Sequence, residues 1–94
     1  MEKSKFVFTG IVLKDGSAFS SLCIEVDVAS EGKNIAEAKK NLFEAVSLYI
    51  ESAIENNLPV LRPVPIEGNP LSQSPEKIVE KFPLKINFSV KAYA

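Results

Sequence analysis

Apolar and polar positions along this chain alternate, switch to a helical period, and alternate again near its end. From Phe6 to Leu13 the residues are mostly β-branched or aromatic, with Phe6, Phe8 and Val12 pointing one way and Val7, Ile11 and Leu13 the other. Apolar residues on both faces predict a central strand, or one covered on both sides. Lys14-Asp15-Gly16-Ser17 then gives a turn signal ahead of a second apolar stretch, Ala18 to Val28. Asp-Gly between two such runs predicts a β-hairpin. In the second stretch Leu22, Ile24, Val26 and Val28 share one face, and Ser21, Cys23, Glu25 and Asp27 share the other. That pattern predicts a half-buried strand, either unbroken or divided near Glu25-Val26 into two shorter ones.

The period changes after Gly32. A glycine there supplies the positive φ that a tight strand-to-helix turn often needs. Asn34 is a good N-cap residue, with Glu37 three positions on in the capping-box place. A helix is predicted from Ile35 to Glu55, its core stripe formed by Ile35, Ala38, Leu42, Ala45, Val46, Tyr49 and Ala53. Phe43, Ile50 and Ile54 lie on one flank of that stripe, so the apolar wedge is wider than one small sheet needs. Lys40, Glu44, Glu51 and Glu55 make a solvated face, and Asn56-Asn57 with Pro59 end the helix.

From Pro59 to Pro75 there are five prolines, which predict an extended wrap over the body. Ser74-Pro75 suits the start of a short helical turn through Lys81. Beyond it Leu84, Ile86, Phe88, Val90 and Ala92 alternate with Lys85, Asn87, Ser89, Lys91 and Tyr93, a terminal strand with one buried face. The organisation is therefore a single domain: a core over 1–58, a Pro-rich wrap over 59–82 and a terminal strand over 83–94. A strand displaying Lys85, Asn87, Ser89 and Lys91 also suits a DNA major groove. The ribbon-helix-helix fold that uses such a strand needs two helices after it, so completion of the sheet is expected instead.

Composition removes most catalytic options. The 94 residues include no histidine, the commonest general base near neutral pH and a frequent metal ligand. Cys23 is the only cysteine, which excludes an intrachain disulfide and predicts a small buried hydrophobe. Glycines are isolated, with no phosphate-cradling loop or nucleophile elbow. Asp15, Glu25, Asp27 and Glu31 could in principle form a divalent-metal cluster of the nuclease kind, but Asp15 reads as a turn residue and the others as polar-face or loop residues. No catalytic residue, metal or cofactor is expected. The net charge of −1 gives no general drive toward nucleic acid or anionic membrane. The opening Met-Glu-Lys-Ser-Lys has no signal-peptide character, and no apolar run reaches the ~18 residues of a membrane span, so a cytoplasmic protein is expected.

The run Ala29-Ser30-Glu31-Gly32-Lys33-Asn34-Ile35-Ala36-Glu37-Ala38, followed by Asn41-Leu42, Glu44-Ala45 and Leu48-Tyr49, resembles the N-terminal domain of HicB-type antitoxins and their stand-alone relatives. The resemblance covers about Phe6 to Pro59. It implies an α+β fold of the partial ribonuclease-H type, in β-β-β-α-β order, without a nuclease centre. It also implies a toxin partner, a small RNA-cleaving protein of the HicA kind. Two features depart from the family. The proline-containing segment usual before the glycine turn is here Ile24-Glu25-Val26-Asp27-Val28, and a C-terminal DNA-binding module is not seen.

The two-sided first strand and wide helix wedge call for partner surface, so a homo-oligomer, a dimer first, is expected. Phe43, Ile50, Ile54, Phe6 and Phe8 are the candidate contact residues. A stand-alone module binding a small ligand beside the helix is the alternative. A degenerate nuclease using Asp27 or Glu25 is the third and least favoured.

Overall fold

The computed structural model describes the backbone of residues 2–90 and the side chains of residues 7–14 and 16–86. The fold is α+β: a four-stranded antiparallel sheet in the order β3-β2-β1-β4, with one long helix packed on it. Strand β1 is Glu2–Asp15, β2 Ala18–Cys23, β3 Val28–Gly32 and β4 Ile78–Val90, with helix α1, Ile35–Glu55, between β3 and β4. No described helix is long and apolar enough to cross a membrane.

Local chemistry accounts for most boundaries. Asp15 pairs with Ala18 across a two-residue loop, and Gly16 at its first position has φ 66°, a value that suits a residue without Cβ. The Asn34 side chain caps α1 by accepting from the Glu37 N–H at 2.8 Å, and the Glu37 carboxylate reaches back to the Lys33 N–H at 3.1 Å. At the other end Asn57 is left-handed (φ 58°). The Leu58 N–H donates to Ala53 O at 2.7 Å and the Asn57 N–H to Ile54 O at 3.3 Å, the paired bonds of a Schellman motif.

Three expectations need correction. First, the second apolar stretch divides near Glu25-Val26 into β2 and β3, one of the two arrangements expected, but the buried face of β2 is the opposite of the one expected. Ser21 and Cys23 face the helix, while Leu22 is only partly buried. The four-residue turn Ile24–Asp27 breaks the alternation, and Asp27 there adopts φ 51°. Val26 and Val28 still reach the helix side, but no longer in phase with Leu22. Second, Gly32 does not have positive φ. Its glycine is required by proximity: a Cβ there would overlap the Ala38 nitrogen and stand 2.9 Å from Ala38 Cα. Third, the helical turn after Ser74 ends at Lys77, and β4 begins at Ile78. Ile78 and Val79 favour strand once Ile78 can pair with Leu13. Lys91, Ala92 and Tyr93 of the expected strand lie outside the described residues.

The main core lies between α1 and the sheet and joins Phe8, Val12, Cys23, Val26, Ala38, Leu42, Val46, Ile50, Phe82, Leu84 and Ile86. Ile11 is fully buried outside this cluster, on the other face. The Pro-rich wrap is tied to the body at several points. Tyr49 Oη donates to Pro59 O at 3.1 Å, and the Arg62 guanidinium lies 5.1 Å from the Tyr49 ring centroid. The Arg62 and Val64 N–H groups donate to Glu25 O and Ile24 O, both at 2.9 Å. The chain then crosses to Ile78 beside Leu13, its last short turn, Pro75–Lys77, packing on β1. The second face of the first strand is therefore covered in part: Ile11 is buried and Leu13 half-buried, whereas Val7 on the same face is 58% exposed.

Candidate functional site

Strand β2 pairs with β1 only as far as Gly10, whereas β4 pairs with it back to Glu2. Residues 2–9 and 83–90 thus form a two-stranded ribbon beyond the β2 end of the sheet. Where the β1–β2 ladder stops, a side chain takes over. The Ile24 N–H still donates to Thr9 O at 3.0 Å, but Ile24 O is occupied by Val64. The Thr9 N–H turns instead to Glu25 Oε1 at 2.7 Å, and the Thr9 hydroxyl donates to Glu25 Oε2 at 2.9 Å. Glu25 is a structural terminator of the ladder and is not free for chemistry.

The other described acids of that set, Asp27 and Glu31, form no metal-holding group with it. Asp27 is exposed in the turn, Glu31 is exposed on β3, and the side chain of Asp15 lies outside the described residues. Among the described residues no group of three or more Cys, Asp or Glu could hold a metal ion.

Cys23 is fully buried, with its Sγ 4.0 Å from Glu25 Oε1. Burial, and then the Glu25 carboxylate, push the thiol up from its ordinary 9.0 to about 11. A raised acid pKa means that the folded protein holds the neutral thiol more tightly than the unfolded chain does. This stability is complete below pH 9 and is lost as pH rises toward 11. Two units correspond to about 2–3 kcal/mol. The stability difference between the native protein and Cys23→Ala should therefore be flat up to pH 9 and fall by about that amount by pH 11. Denaturant melts at a series of pH values measure it; a flat difference throughout would place the thiol in water.

The candidate contact residues divide. Ile50 is 1% exposed and Phe8 5%, so both belong to the core and neither fronts a partner. Ile50 is buried because the flank it occupies lies over β4. Lys39, eleven residues earlier and ~20° away at ~100° per residue, pairs with Glu80 and sits 4.8 Å from the Phe82 ring centroid. Phe43 and Ile54 remain exposed at 44% and 39%. They are also eleven residues apart and form the two accessible ends of the same ridge. The side chain of Phe6 lies outside the described residues. Leu48, Leu58, Leu61 and Ile66 are further exposed apolar residues that the helical stripe did not single out. Leu48 falls off the stripe, and the other three follow the helix, where periodicity carries no signal.

A concavity of about 540 Å³ lies at the start of α1, lined by Ser17, Ala18, Glu31, Gly32, Lys33, Glu37 and Asn41. It is an open depression beside the helix, bordered by the Asn34–Glu37 cap. No protein-family model, no curated protein and no solved structure matches this chain.

Proposed function

We propose that this chain is a non-enzymatic interaction protein of the HicB antitoxin type, acting in the cytoplasm by binding and occluding a small HicA-like RNase. The observation that carries the reading is the ridge of α1, whose Phe43 and Ile54 stay exposed although the remainder of the helix's apolar wedge is buried or half-buried. Exposed aromatic and aliphatic anchors flanked by polar residues are what a protein contact requires. The strand and helix order, the Asn34–Glu37 cap and the close approach at Gly32 agree with the resemblance. The described side chains supply no nucleophile with an activating base.

A homodimer through the same ridge is part of this reading. Light scattering on the purified chain, alone and mixed with a HicA-like RNase, tests both contacts. The expected result is a dimer that gives way to a defined one-to-one complex with the RNase, with Phe43→Glu/Ile54→Glu losing both while melting cooperatively. A complex unaffected by that double substitution would move the contact elsewhere. The second reading, a small-ligand module, rests on the concavity at the start of α1. A thermal shift with metabolites that is lost in Asn41→Ala would favour it.

A further inference from the structure

We propose that the open edge of β1 in the ribbon accepts an extended segment of another protein in which acidic and apolar residues alternate. The proposal is independent of the toxin reading, because it concerns β1 while that reading concerns Phe43 and Ile54.

The edge is defined by backbone geometry. The N–H and C=O of Thr9 point toward the β2 side, as its bonds with Glu25 and Ile24 show. The next residues of the same parity, Val7, Lys5 and Lys3, therefore direct their backbone groups to that side, and no described strand pairs with them there. An added strand would use these groups, the mode known as β-augmentation. The outer edge of β4 is less suited. Pro83 lies opposite Thr9, so its nitrogen faces outward at a position where an added strand would need a donor.

Charge specifies the occupant. The charged residues of 2–12 and 80–90 are Glu2, Lys3, Lys5, Glu80, Lys81 and Lys85. Strand register puts all four lysines at positions of one face and both glutamates at positions of the other, with Glu80 engaged by Lys39. Lys81 and Lys85 are exposed and paired with no described residue. A second copy adding its β1 antiparallel about a two-fold axis at Lys5 would bring like charges opposite each other, which is unfavourable. An acidic strand meets the opposite situation. Beside the lysines runs a largely apolar groove lined by Val7, Phe8, Thr9, Lys81, Phe82 and Pro83, with Phe8 and Phe82 at helix-side positions. Among the described residues the lysine face offers no aromatic ring on which a nucleic-acid base could stack. The alternate residues of an incoming strand would extend the helix-side face of Phe8, Leu84 and Ile86, which favours apolar groups there.

The test uses the full chain and two eight-residue peptides, one alternating Glu with Val and one alternating Lys with Val, read by amide chemical-shift mapping. The acidic peptide should bind saturably, with shifts centred on residues 3–9, and the basic peptide should not. Lys5→Glu/Lys85→Glu should weaken the acidic peptide by about tenfold or more and admit the basic one. Val7→Pro, which removes one outward N–H, should weaken acidic-peptide binding; a thermal melt shows whether it folds, and the charge variant decides the matter if it does not. Equal binding of both peptides, shifts centred elsewhere, no saturable binding, or tighter binding of a nucleic-acid duplex than of the acidic peptide would each overturn the proposal.

Discussion

Gly32→Ala is expected to destabilise the protein by about 3 kcal/mol or more. The added methyl has no room: it would overlap the backbone nitrogen of Ala38 and lie 2.8 Å from the Glu37 carbonyl carbon. Those atoms belong to the first turn of α1, so they cannot move without tilting the helix off β3 or breaking the Asn34 cap. Phe19, the register partner of Gly32 on β2, packs against the main core, so a tilt would reach the interior as well. Gly16→Ala is the control. It sits at φ 66° with nothing within 4 Å of its added Cβ, so only backbone strain of about 1 kcal/mol applies. Urea unfolding of the two variants separates the mechanisms. Equal losses would mean that α1 does not rest on Gly32.

Ile50→Ala should cost about 2–5 kcal/mol, the range for a truncated aliphatic core residue. Phe43→Ala, on the same ridge but exposed, should cost less than about 1 kcal/mol. The pair tests whether β4 covers the flank of α1. If Ile50 were instead a surface residue awaiting a partner, its truncation would be nearly neutral in the isolated chain and would act only on binding. Chemical denaturation at low protein concentration reads the difference directly.

The helix was legible to the residue, because Asn34 with Glu37 and Asn56-Asn57 are chemical signals that act over one turn. The hairpin at Gly16 was legible for the same reason. What depended on longer range was not. A four-residue turn reversed the phase of β2, so Cys23 and Ser21 took the places expected for Leu22 and Ile24. Ile50 was placed on a flank because a helical wheel does not reveal how many strands lie beneath it. The early start of β4 was not legible because Ile78 and Val79 continue as strand only once Ile78 can pair with Leu13, sixty-five residues earlier. The role of Glu25 depends on Thr9, sixteen residues earlier, and no local pattern connects them. The same limit applied to function. The absence of histidine was plain in composition, whereas the segregation of lysines on the ribbon required the register of β1 against β4.

The most direct measurement of the central claim is an RNA-cleavage titration. A HicA-like RNase is held constant while this protein is added from zero to excess. Occlusion predicts that cleavage falls linearly to background at a fixed stoichiometry, and that Phe43→Glu/Ile54→Glu fails to suppress it. Undiminished cleavage at full excess of the native protein would contradict the account.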